Sequence, residues 1–235
     1  MSTLDQRYYD TIKLIAAFRQ LPTKHIHEML FSDAQSMNPC YNVLNQLKAR
    51  KFVTTLEHPY SGGRKGGSNP LIWVLDIEGY NLIYGKKSLP LTAINYHTLD
   101  VGHTFMDLVH LGRTGLFAIE DYAVEQGCWM KVNGRELRPD LYLETRMASG
   151  RLVKSFLEVD RSNEREAKIK SKCGDYVYCF NNVDVRQFPE WPRTIWVVPH
   201  ELRARQLKRW INQLPEDGSQ LFSVVERANI ADMFI

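Results

Sequence analysis

Residues 52–76 restrict the fold more than any other stretch of this 235-residue chain. Two runs rich in β-branched and aromatic side chains, Phe52-Val53-Thr54-Thr55-Leu56-Glu57 and Leu71-Ile72-Trp73-Val74-Leu75-Asp76, read as strands. Between them, from His58 to Pro70, two glycine pairs flank Arg64-Lys65. Strands so close in sequence pair as a hairpin, here with a glycine-rich, doubly basic tip. Upstream, helical spacing predicts three helices. Residues 5–19 set Tyr8, Ile12, Ile15 and Ala16 on one stripe until Leu21-Pro22 stops the helix. Thr23 caps a second helix through Leu30, with Ile26, Met29 and Leu30 inward. Asn38-Pro39 starts a third, which runs to Arg50 and buries Cys40, Val43, Leu44 and Leu47.

Three helices followed by a hairpin with a basic tip resemble a winged helix domain. That resemblance implies a third helix lying in the major groove of double-stranded DNA, where the amides of Asn42, Asn45 and Gln46 pair with adenine edges. Tyr41 and Lys48, with Arg50 and Lys51, are then available for phosphates, while Arg64 and Lys65 reach the minor groove or the backbone. The alternative is a protein-contact module whose glycine-rich segment is only a long turn. Charge favours DNA. The net +3 of the whole chain says little, but residues 1–95 hold 11 Lys+Arg against 7 Asp+Glu, whereas residues 96–235 hold 19 against 20.

Lys86-Lys87-Ser88-Leu89-Pro90 reads as a linker, which separates a domain of residues 1–90 from one of residues 91–235. A helix from His97 to Leu111 sets His103, Asp107 and His110 on one face, a spacing that suits either a metal or ordinary packing. Strands then follow at 116–125, 136–144 and 152–160, a helix at 164–180 and a strand at 194–198. On the third of these strands, alternation puts Phe156, Glu158 and Asp160 on the same face. Carboxylates are costly to bury there unless a metal or hydrogen bonds hold them.

Pro139-Asp140 at one strand, an acidic pair at the end of the next and a lysine-bearing helix after it resemble the PD-(D/E)XK nuclease core. The resemblance implies Mg²⁺ held by Asp140, Glu158 and Asp160, since a hard divalent ion requires clustered carboxylate oxygens. Asp160 stands where that family has its catalytic lysine. Lys168 and Lys172, one turn apart on the following helix, are candidates for a relocated lysine, with Lys172 the first choice. They are equally suited to surface pairs with Glu164.

The whole layout is similar to the replication-relaxation family of plasmids and other mobile elements. The residues that carry this are the His97-Thr98-Leu99 helix start, Leu137-Arg138-Pro139-Asp140, Phe156 to Arg161, and Lys172 with Tyr176. It implies an α+β chain: an N-terminal winged helix domain, then an α/β restriction-endonuclease-like domain with a mixed sheet. It also implies a role in replication, relaxation or mobilisation, with replication or mobilisation proteins as partners.

Three readings follow: a DNA-binding protein whose nuclease-like domain does not cut, a Mg²⁺-dependent endonuclease or nickase, and a transcriptional regulator that dimerises through its second domain. The run His200 to Trp210 is a basic helix whose Arg203, Arg205, Lys208 and Arg209 either meet phosphates or form a solvated face. No GxxxxGK loop occurs, so no nucleotide cofactor is expected. Four scattered cysteines, no apolar run of membrane length and no leader-like start lead to the expectation of a cytoplasmic protein with reduced thiols and no membrane partner.

Overall fold

Apolar positions at three- and four-residue spacing wind the first part of the chain into α1 (Gln6–Phe18), α2 (Thr23–Leu30) and α3 (Asn38–Ala49), in a computed structural model that describes residues 5–56, 70–184, 186, 189–214 and 216–234. Strand β1 (Leu21–Pro22) precedes α2, and β2 (Val53–Leu56) and β3 (Ile72–Leu75) follow α3. They form an antiparallel sheet in the order β1-β3-β2, with Leu21 opposite Trp73 and Thr55 opposite Trp73 on its other side. The Leu21-Pro22 pair is thus more than a helix stop; proline suits this edge position, where a missing N–H is tolerated. Trp73 is buried and donates its indole N–H to Thr23 Oγ1 at 2.9 Å. Thr23 therefore opens α2 as a partner for the tryptophan, and it is Pro22 that precedes the helix.

Helix α4 (Ile77–Tyr84) is capped by Asp76, whose carboxylate accepts from the Ile77 N–H at 2.7 Å. It packs so closely on the start of β2 that a Cβ at Gly79 would lie 2.1 Å from the Phe52 carbonyl oxygen. Residues 93–95 are held by a buried amide: Gln20 donates to the Ala93 carbonyl and accepts from the Asn95 N–H. Contacts divide the chain into units of residues 1–103 and 104–235, the division falling within α5 (Tyr96–Arg113).

The second unit is built on a mixed five-stranded sheet in the order β10-β9-β8-β7-β4. Its strands are β4 (Phe117–Val124), β7 (Leu141–Met147), β8 (Leu152–Val159), β9 (Arg193–Val198) and β10 (Phe222–Glu226). β7 pairs antiparallel with both β4 and β8, whereas β8, β9 and β10 run parallel to one another. Helix α6 (Glu166–Asn182) connects β8 to β9; α7 (Glu201–Ile211) and the one-turn α8 (Glu216–Ser219) connect β9 to β10. One sheet face carries Trp196, Val198 and Val224, packed against Ile169 and Cys173 of α6 and Leu207, Trp210 and Ile211 of α7. The chain is therefore mixed α/β with a mixed sheet, as the sequence leads one to expect.

The expected strand 136–144 is broken. A small hairpin of β5 (Met130–Val132) and β6 (Arg135–Leu137) comes first, turning at Asn133-Gly134, both with positive φ. Pro139 then separates β6 from β7, because proline has no N–H to give a ladder. Helix α6 also begins at Glu166, two residues later than the expected start at 164, with Arg165 before it. Among the described residues, no helix is long and apolar enough to cross a membrane.

Candidate functional site

Asp140 directly precedes β7, and its backbone N–H donates to the Leu157 carbonyl of β8 at 3.2 Å. Its side chain then reaches along β8 and accepts from the Val159 N–H at 2.7 Å, so the carboxylate caps the end of the ladder. Glu158 lies between these two β8 residues and points to the face covered by α6. There Lys172 and Tyr176, one helical turn apart, meet it together. Lys172 Nζ pairs with Oε2 and the Tyr176 hydroxyl donates to Oε1. Phe156 packs against the Tyr176 ring, and Lys172 Nζ lies 5.8 Å from the Trp196 ring centroid. Asp140, Glu158 and Lys172 are thus brought together.

The group is inside the protein. Glu158 is 0% exposed and Tyr176 is fully buried, while the Lys172 side chain retains 26% exposure. Burial pushes the Glu158 carboxyl up to about 8; the Lys172 ammonium pulls it down and the neighbouring Asp140 carboxylate pushes it further up. Burial also works against the charge on Lys172, but Glu158 and Asp140 outweigh it and hold this lysine above its ordinary value. Beneath the pair, Cys128 donates to the Glu125 and Pro139 carbonyls. Burial, then Glu158 and Asp140, push its thiol up to about 12. Both the burial and the two hydrogen bonds favour the protonated thiol.

Asp160 goes elsewhere. Arg203 of α7 grips it in a two-pronged pair, Nε to Oδ2 at 2.7 Å and Nη2 to Oδ1 at 2.8 Å. The guanidinium also donates to the Glu164 carbonyl and to Gln206 Oε1, and Ser162 N–H donates to Asp160 Oδ2. Arg203 is 4% exposed, so it is the one member of the basic run that is withdrawn into the core.

These carboxylates do not fit a divalent metal site. Glu158 has both oxygens on protein donors, Asp160 has both on Arg203, and one oxygen of Asp140 is on a backbone N–H. Among the described residues, no three His, Cys, Asp or Glu side chains gather as a ligand set. The same holds for the His103, Asp107, His110 face: Asp107 pairs with Arg227 at 2.6 Å and His103 meets the edge of His25.

In the first unit, α3 buries Cys40, Val43, Leu44 and Leu47 and leaves Tyr41, Asn42, Asn45, Gln46 and Lys48 exposed. Asn42 and Asn45 make no side-chain hydrogen bond among the described residues. Gln46 accepts from the Tyr8 hydroxyl, and Lys48 donates to Thr55 Oγ1 at 2.8 Å. Arg64 and Lys65 lie outside the described residues.

Sequence reasoning missed the donor role of Tyr176, the partner role of Arg203 and the presence of Cys128. Two of these had a signal. Tyr176 is four residues from Lys172, and Arg203 continues the apolar stripe of Leu207, Trp210, Ile211 and Leu214. Lys168, the other candidate, pairs with Glu164 on the surface. A family model described as replication-relaxation matches residues 12–188, three quarters of the chain. No curated protein and no solved structure matches it.

Proposed function

The chain belongs to the replication-relaxation family, and from that premise we propose that it is a double-stranded DNA-binding protein of a plasmid or other mobile element, acting in replication or relaxation through a nuclease-like unit that does not cut. The observation that carries the binding half is the solvent face of α3. Two unengaged asparagine amides, Asn42 and Asn45, stand three residues apart among the exposed Tyr41, Gln46 and Lys48. Amides at that spacing suit adenine edges in a major groove. The helices α1 to α3 and the antiparallel pair β2 and β3 support the winged helix reading, and the excess positive charge falls in the same part of the chain. In this reading Arg64 and Lys65 contact the backbone.

The non-cutting half rests on the carboxylates. Three antiparallel strands, a helix and a parallel strand support a nuclease-like frame, but Glu158 and Asp160 are sealed by Lys172, Tyr176 and Arg203. One observation favours the endonuclease reading, the meeting of Lys172 with Glu158 beside Asp140.

Fluorescence anisotropy with labelled duplex DNA tests the binding. The Asn42→Ala/Asn45→Ala protein weakens on the preferred sequence by roughly tenfold or more, since each good base contact is worth about 1–3 kcal/mol. Arg64→Ala/Lys65→Ala weakens all sequences alike. Unchanged binding in both variants refutes the proposal. Incubation of supercoiled and linear DNA with Mg²⁺ or Mn²⁺ tests the second half, and cleavage abolished by Glu158→Ala refutes it.

A further inference from the structure

Helix α7 carries a second cluster of charge, in a unit whose overall balance is close to neutral. Its N-terminal half borders a pocket of about 470 Å³ lined by Ser162, His200, Arg203, Arg205, Gln206 and Arg209, with Leu202 at its side. Three arginines and a histidine face it, and among the described residues no carboxylate does. The floor is preorganised. Arg203 is locked by Asp160, and through Nη1 it holds the Gln206 carbonyl oxygen, leaving the amide NH₂ as the free donor. His200 Nδ1 accepts from the Arg203 N–H, so in the neutral ring the proton is on Nε2, which makes it a donor as well. Arg205 is 71% exposed and, among the described residues, pairs only with the similarly exposed Glu201, a pair that yields easily to a better anion. Arg209 and Lys208 are exposed and have no ion-pair partner among the described residues.

We propose that this face of α7 is a second DNA-contact surface that grips backbone phosphates, extending the DNA-binding reading to the sheet-containing unit. The lining offers N–H donors and guanidinium forks, the groups that take phosphate oxygens. Among the described residues that line it there is no aromatic ring on which a base could stack, and Leu202 is the one apolar side chain. The surface therefore binds the backbone and is indifferent to sequence.

The test is the salt dependence of binding to short labelled duplexes of unrelated sequence. Each phosphate contact adds about 0.9 to the slope of log affinity against log salt. Arg205→Ala/Arg209→Ala flattens that slope by about 1.8. Between about 50 and 200 mM salt its affinity then falls roughly tenfold less than that of the unaltered protein, on every duplex. Both arginines are on the surface, and an unchanged circular dichroism spectrum establishes that the fold persists.

A slope equal to that of the unaltered protein overturns the inference. So does full duplex affinity combined with lost binding to polyglutamate, which would assign the face to an acidic protein partner. Absence of duplex binding by the unaltered protein overturns both this inference and the DNA-binding reading. Asn42→Ala/Asn45→Ala is measured in parallel, on the preferred sequence as well as on the unrelated duplexes. If only that protein weakens, the α7 inference fails and the α3 reading stands; if only the α7 variant weakens, the reverse holds.

Discussion

Replacing Arg203 by methionine removes one side chain and strands another. The guanidinium makes four hydrogen bonds, two of them to Asp160, and both residues are more than nine-tenths buried. Methionine fills much of the volume, so the loss is electrostatic: the Asp160 carboxylate stays inside with only the Ser162 N–H. Breaking a buried pair in this way costs about 3–5 kcal/mol. For a unit of this size, at about 4 °C per kcal/mol, the transition falls by roughly 12–20 °C. Removing both charges, in Asp160→Leu/Arg203→Met, restores stability to within about 2 kcal/mol, because an apolar pair of similar bulk has no desolvation to offset. Lys168→Met is the control: its pair with Glu164 lies on the surface, and its loss amounts to about 0.5 kcal/mol or less. Scanning calorimetry and urea titration of tryptophan fluorescence measure all three. A loss below about 1 kcal/mol for Arg203→Met, or a double variant no more stable than the single one, refutes the reasoning.

Gly79→Ala forces a Cβ to within 2.1 Å of the Phe52 carbonyl, so α4 must move off β2; urea titration is expected to show a loss of about 1–3 kcal/mol. Glu158 makes stability pH-dependent. Its carboxyl rises from 4.5 unfolded to about 8 folded, so the folded state holds the proton more tightly. The contribution is fully present below pH 4.5, declines by up to about 1.4 kcal/mol per pH unit and is lost once pH passes 8. Lys172, held above its ordinary value, keeps its charge through that window. Urea titrations from pH 5 to 9 are expected to show this decline in the unaltered protein and a flatter profile in Glu158→Gln; equal slopes would refute the assignment.

The elements were legible wherever spacing decides. The stripes of α1 and α3 and the alternation of β8 appear in the structure within a residue or two of the expected ends. The break at Pro139 was legible in principle, since Asn133-Gly134 is a strong two-residue hairpin signal. What spacing cannot show is which side chain fills a partner's last lone pair. Alternation predicts that Glu158 and Asp160 share a face, but it cannot show that their partners come from two different helices, α6 and α7. Arg203 was hidden in a basic run that reads as surface, although its place on the apolar stripe of α7 set it apart from Arg205, Lys208 and Arg209. Lys172 sits at the flank of the buried stripe of Ile169, Cys173, Tyr176 and Cys179, close enough to reach inward.

Parallel neighbours in a sheet cannot be joined by a tight turn, so β8, β9 and β10 come together only through α6 and α7. Glu158 and Asp160 are two residues apart, yet the first waits for α6 and the second for α7. In a chain growing from its N-terminus, β4, β7 and β8 can form their antiparallel meander early, with both carboxylates still in water. Each leaves water only when its own crossover docks. The two pairs thus tie each carboxylate to a different crossover: Glu158 is covered once α6 docks, and Asp160 only once α7, 43 residues further on at Arg203, docks as well. A nascent chain released before Arg203 has emerged would keep a hydrated carboxylate at the mouth of its sheet and leave that face open to solvent.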